Sequence, residues 1–308
     1  MAENRASLLD PSFLRKLERL RIQARRAFPG TMRGERRSTR KGSSVEFSDF
    51  RKYEAGDDFR HVDWNIYARL ERLVLRQFVE EEDVRIDIMI DRSRSMQFGE
   101  PMTKFDFARR AAAALAFLAA TSLDRFGVTA FDATVRKRMR PLRGRGHLLS
   151  VISFLESLAT GGEGDASDVD EEGGTNLSGV LRAYQKTSLR PGILFVISDF
   201  LDTSDFRGEM KRLAYRGFDL NLIQVLTREE ITPNVVGDLL LVDSETGDER
   251  EITVNDRAMA AYRKALASYT TELESFSRRN RIGYTQLTVD VAFEDLLFKN
   301  LVESRMAG

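Results

Sequence analysis

The chain of 308 residues is long enough for one large domain or two unequal ones, at roughly 150 residues per domain. Its apolar fraction of 42% and charged fraction of 31% exclude a wholly disordered or collagen-like chain. Forty-eight basic against forty-eight acidic side chains argue against a strongly basic nucleic-acid binder. Without cysteine there is no disulfide, zinc thiolate, iron–sulfur cluster or thiol nucleophile, and two histidines, His61 and His147, leave little for a histidine metalloenzyme. No apolar run approaches the roughly 20 residues of a membrane span, and the start lacks a signal-peptide core, so a cytoplasmic protein is expected.

The neutral total hides a local bias: residues 1–42 carry a net charge of +8, and residues 43–84 one of −5. After Asp10-Pro11, the spacing of Phe13, Leu14, Leu17, Leu20 and Ala24 predicts an amphipathic helix that Pro29-Gly30 ends. Residues 31–83 hold short segments without sustained helical period. From residue 85 strands and helices alternate. Strands are predicted at 85–91, 126–131, 133–139, 193–198, 219–226 and 284–289. Helices are predicted at 105–122, 146–159, 177–188, 205–215 and 256–279. This order predicts an α/β fold with a mostly parallel sheet and helices on both faces, in a domain of residues 85–308. A smaller N-terminal module would take residues 1–84. Residues 239–254 read as a hairpin outside the main sheet.

Residues 161–174 (GGEGDASDVDEEGG) hold six acids, five glycines and no base. Such a segment has no apolar area to offset its ordering entropy, and is expected to be either a lid or partner-contact loop or a solvated insertion. The run of six bases over 136–145 is read as a solvated strand edge, with a docking patch as the alternative.

The first α/β strand ends in IDRSRSM, which sets Asp91, Ser93 and Ser95 in a D-x-S-x-S pattern. Ligands of open α/β sheets bind outside the carboxyl ends of the strands. Thr175 in GGTNL and Asp199 after the apolar run ILFVIS stand at comparable positions. Two carboxylates and three hydroxyls are hard oxygen donors suited to Mg²⁺, with Mn²⁺ or Ca²⁺ as alternatives. The bland reading is that Asp91 and Ser93 cap the following turn while Asp199 caps a helix. An EF-hand beginning at Asp168 fails, because its twelfth position is Gly179 rather than Glu.

The five-position pattern resembles the metal-ion-dependent adhesion site of von Willebrand factor A domains. The resemblance implies a Mg²⁺ held directly by Ser93, Ser95 and Thr175, with Asp91 and Asp199 direct or water-mediated. A carboxylate from a client protein would then complete the coordination.

Residues 41–69 (KGSSVEFSDFRKYEAGDDFRHVDWNIYAR) set six aromatic side chains among paired charges. Asp49, Glu54, Asp57, Asp58 and Asp63 would repel phosphates, so aromatic packing with Arg–Asp pairs is preferred over nucleic-acid stacking. The stretch resembles the signature of the DUF58 family, carried by Gly42, Glu46, Phe47, Arg51, Tyr53, Gly56, Asp57, Asp58, Arg60, Asp63, Trp64, Ala68 and Arg69. That resemblance implies a MoxR-type AAA+ ATPase as partner and a chaperone-like role in maturing or assembling other proteins.

Catalysis is not expected. Nothing in the sequence brings His61 or His147 to Ser93 or Ser95, and no G-x-x-x-x-G-K-[ST] motif is present. The expectation is a non-catalytic, metal-dependent adaptor. A Mg²⁺-dependent hydrolase using the same strand-end site, and a nucleic-acid-binding module, are the alternatives.

Overall fold

The structure is a computed structural model that describes residues 15, 46–54, 57–79, 85–121, 124–158, 175–187, 190–202, 204–235, 237–243 and 247–290. Apart from Arg15, the helix expected over 13–28 lies outside these residues, as do the acidic stretch 161–174, Gly42 and Gly56. Apart from Arg15, the described residues fall into two compact units, 46–79 and 85–290.

In the smaller unit, β1 (Glu46–Lys52) pairs antiparallel with β2 (Val74–Val79), with a register shift between Phe47 and Asp49. Between them lie a 3-10 turn at Phe59–His61 and a short helix, α1 (Trp64–Leu70). Asp63 starts α1: its carboxylate accepts the Asn65 and Ile66 amides at 2.9 and 3.2 Å, satisfying two of the helix's otherwise unpaired donors. These elements were not foreseen. Seven helical residues are fewer than two full turns of a 3.6-residue period.

The larger unit is a mixed α/β fold built on a seven-stranded, mostly parallel sheet. Its strands are β3 (Arg85–Asp91), β4 (Arg125–Phe131), β5 (Val135–Arg138), β6 (Leu142–Arg143), β7 (Ile193–Ser198), β8 (Asp219–Leu226) and, at the far edge, β11 (Gly283–Thr288). The spatial order is β11-β8-β7-β3-β4-β5, with β6 also pairing to β4. Strands β5 and β6 run antiparallel to β4, so the basic run forms an edge. There Arg136 Nε donates to Asp132 at 2.7 Å, and Arg138 to Thr187 Oγ1 at 2.6 Å. The strand expected from residue 133 starts at Val135, because Asp132 first closes a turn by accepting the Thr134 amide.

Side chains alternate across the central strands, which lets both faces be buried. Met89, Leu194, Val196, Leu220 and Leu222 pack in one cluster. That cluster also holds apolar residues of α4 (Leu177–Thr187), α5 (Arg207–Tyr215) and the C-terminal part of a long helix at Asp256–Arg279. Ile88 and Ile90, on the alternate face of β3, are fully buried. Helix α2 (Lys104–Thr121) packs along β3 and β4. Its run Ala111–Ala114 favours helix and lets the backbone lie close to the sheet. Helix α3 (Leu148–Glu156) packs against α2 and begins two residues later than expected, after a 3-10 turn at Arg145–His147.

After β8, Thr227 and Glu230 cap a single helical turn, α6 (Arg228–Ile231). The strands β9 (Gly237–Val242) and β10 (Glu249–Val254) then pair as a separate antiparallel hairpin. Asn255 caps the long helix, α7 (Asp256–Arg279), by accepting the Ala258 amide at 2.9 Å.

Candidate metal centre

The chain leaves β3 for β4 on one side and returns with β7 on the other, a reversal of strand order that opens a crevice at the carboxyl ends. Asp91 ends β3, and Asp199 directly follows β7, whose Ile197 pairs with Ile90. Both carboxylates are therefore delivered to the same place by parallel register.

Asp91 is fully buried and its oxygens are separately held. Oδ1 accepts the Ser93 amide at 2.9 Å, and Oδ2 accepts the Ser198 hydroxyl at 2.6 Å. The Asp91 contact makes an Asx-type turn that sets Ser93 before the 3-10 turn Arg94–Gln97, and the Ser93 side chain itself makes no cap. Instead the hydroxyls of Ser93 and Ser95 meet at 3.1 Å. Asp199 Oδ1 accepts the Leu201 amide at 3.1 Å, so it shapes a loop rather than capping a helix. Phe200, next in the chain, sits at φ 56°, a left-handed conformation unusual for a bulky residue. Its amide bond to Ser198 Oγ (2.9 Å) and its ring against Phe206 (5.7 Å) hold it there.

Thr175 lies two residues before α4. Its neighbours tie the segment to this edge: the Asn176 amide donates to the Asp132 carbonyl at 3.5 Å, and the Leu177 amide to Asp202 at 2.7 Å. The structure thus joins Asp91, Ser93 and Ser95 directly, brings Asp199 alongside through Ser198, and places Thr175 on a neighbouring loop.

Lys104 was missed by sequence reasoning. This fully buried residue opens α2, and its Nζ donates to Asp199 Oδ2 at 2.8 Å and to Glu230 Oε1 at 2.5 Å. Glu230 Oε2 accepts the Thr227 amide at 2.8 Å, while Thr227 Oγ1 accepts the Glu230 amide at 3.1 Å. A cation at the start of a helix opposes the macrodipole, which was the available hint that acidic partners lie nearby. Burial, the largest influence, pulls the Lys104 ammonium down, but Asp199 and then Glu230 outweigh it and hold it above its ordinary value. Burial first, and then the Asp199 charge, push Asp91 up to about 7 against the lowering hydrogen bonds of Ser198 and Ser93.

Among the described residues no group of three or more His, Cys, Asp or Glu side chains is placed to hold a metal. The crevice offers a different set: two carboxylates whose mutual repulsion a cation would relieve, beside paired hydroxyls. That donor chemistry fits a hard divalent ion.

The family-signature residues of the smaller unit form a network of their own. Arg51 pairs with Asp57 at 2.8 Å, and Asp57 also accepts the Glu54 amide. Arg60 pairs with Asp58 at 2.7 Å. Tyr53 stacks on Phe59 with centroids 5.1 Å apart, and Trp64 meets Tyr67 edge-on at 6.1 Å. Glu46 and Phe47 lie on β1, and Ala68 and Arg69 in the exposed last turn of α1.

Fold and crevice together define a mixed α/β protein with a mostly parallel sheet and an oxygen-rich strand-end cleft. The chain belongs to the family described as Protein of unknown function DUF58, which matches residues 49–272. Uncharacterized proteins of Mycobacterium bovis and Mycobacterium tuberculosis are each 26% identical over 273 residues, spanning 87% of this chain and 82% of theirs. Among solved structures the chain is similar to the conserved hypothetical protein BatB of Bacteroides thetaiotaomicron, with 16% identity, 73% of this chain and 98% of that one covered, and a TM-score of 0.45. It is likewise similar to an aerotolerance-related membrane protein of Bacteroides fragilis, with 16% identity, the same two coverages and a TM-score of 0.46.

Proposed function

We propose that the larger unit is a von Willebrand factor A-like domain acting as a non-catalytic, metal-dependent binding adaptor. It would work in the cytoplasm with a MoxR-type AAA+ ATPase, in chaperone-like maturation or assembly of client proteins. The observation that supports this reading is the meeting of Asp91, Ser93, Ser95 and Asp199 in the crevice between β3 and β7.

Ser93, Ser95 and Thr175 would hold Mg²⁺, with Asp91 and Asp199 direct or water-mediated. The bound ion would supply a positive charge able to accept a carboxylate from a client, since hydroxyl donors leave that charge largely unneutralised. The chain's own residues prepare the site. Ser198 fixes one Asp91 oxygen, the Ser93 amide fixes the other, and the turn at Phe200 sets Asp199 beside them.

The test is binding to the MoxR-type ATPase of the same genome, with Mg²⁺ or with a chelator, for wild type, Asp91→Ala and Ser93→Ala. Circular dichroism first establishes that each variant folds. Loss of binding on chelation and in both variants is expected. Binding indifferent to metal and to both substitutions would reject the adaptor reading and move attention to residues 46–79.

A further inference from the structure

Lys104 supplies a positive charge to the very carboxylate that a bound cation would use. Its ammonium is buried, touches Asp199 Oδ2 at 2.8 Å, and is shared with Glu230 at 2.5 Å. The Leu201 amide engages the other Asp199 oxygen. Each Asp199 oxygen thus already accepts one hydrogen bond, and the ammonium on Oδ2 offsets part of the charge that the carboxylate could offer an ion. Around the crevice the carboxyl groups of Asp91, Asp199 and Glu230 outnumber the one buried ammonium, that of Lys104.

We infer that Lys104 is a built-in counter-cation that sets the divalent-cation affinity of the crevice, and that Glu230 determines how much of the lysine's charge Asp199 feels. The inference rests on the metal-site reading above. Lys104 is a positioning residue: it acts on the ion through Asp199 and keeps that carboxylate in an outer role. Charge that Glu230 draws from the ammonium is charge Asp199 regains for the ion. The arrangement also links the crevice to α6 and α7, because Glu230 belongs to the Thr227 capping box and its carbonyl accepts the Tyr262 hydroxyl at 2.9 Å. Occupancy of the crevice would therefore be felt in the turn that follows β8.

Two opposing substitutions test this. Removing the lysine alone strands the buried Asp199 carboxylate and the partly buried Glu230 carboxylate, a change that can unfold a protein. The double variant Lys104→Met with Glu230→Gln keeps the formal charge of the cluster and removes one of the stranded groups. In calorimetric titration with Mg²⁺ it is expected to bind about tenfold tighter than wild type. Glu230→Gln alone leaves Lys104 wholly to Asp199 and is expected to bind more weakly than wild type. The carboxamide oxygen that this substitution introduces can still accept the Thr227 amide, so the turn is preserved.

A generic charge effect would leave the double variant equal to wild type. Equal or weaker binding by the folded double variant overturns the inference, as does unchanged or tighter binding by Glu230→Gln. If the double variant fails to fold by circular dichroism, Glu230→Gln alone decides. Asp91→Asn in each background separates the two readings. If wild type binds Mg²⁺ and Asp91→Asn leaves that binding intact, or if no variant binds at all, the metal-site reading falls and the inference with it.

Discussion

At the scale of single residues, Asp91 is a fully buried carboxyl whose charged form the fold disfavours. Its carboxyl is pushed up to about 7 by burial and by the nearby Asp199 charge. The ordinary value for an unfolded aspartate is about 3.9. The folded state therefore binds the Asp91 proton more tightly than the unfolded chain does. Stability from this group is fully present below about pH 4 and is lost as pH rises through about 7. Asp91→Asn cannot ionise, so in chelator its stability advantage over wild type should widen between about pH 4 and 7. Urea unfolding of both proteins across that range checks this, and a gap independent of pH would contradict it. On the proposed metal-site reading, saturating Mg²⁺ should close the gap for wild type, because an ion bound there would favour the charged form of Asp91.

At the scale of elements, local caps decide where helices begin. Asp63 is nearly buried and accepts two amides of the first turn of α1, while its own amide donates to the Val74 carbonyl at 3.0 Å. It thus anchors the short helix to β2. Asp63→Ala should destabilise the 46–79 unit by about 1 kcal/mol, the usual cost of a lost N-cap. Hydrogen exchange should show the Asn65 and Ile66 amides losing protection first, and undiminished protection would rule out the capping role. Trp64, 58% exposed, begins the same helix, so helix position and not core burial explains its place beside the cap.

At the scale of the whole molecule, the sheet holds β3 and β7 so close at their starts that a side chain has no room. A Cβ on Gly192 would lie 2.4 Å from the Arg85 carbonyl oxygen and 3.1 Å from Arg85 Cβ. Gly192→Ala must push the strands apart and is expected to cost about 1–3 kcal/mol, as overpacking generally does. Thermal melting measures it, and an unchanged midpoint would show that the strands yield freely.

The α/β alternation after residue 85 was legible because buried parallel strands write short apolar runs such as ILFVIS, and the helices between them keep a 3.6-residue period over many turns. The bounds of β3, β7, β8 and α7 are those expected from that pattern. The hairpin β1–β2 was not legible. Its strands are joined across more than twenty residues, and its pairing is set by contacts rather than by a tight turn. The D-x-S-x-S run and Asp199 were visible as oxygen donors at strand ends, since the sequence alone fixes which residue follows each apolar run. That Asp91 and Asp199 face one crevice came from the order β8-β7-β3-β4, a choice of crossovers that local sequence does not encode. The partnership of Lys104 with Asp199 and Glu230 spans 95 and 126 residues of chain. Only the packing of α2 and of the turn after β8 around the strand ends could bring such distant charges together, and burial there forces them to pair.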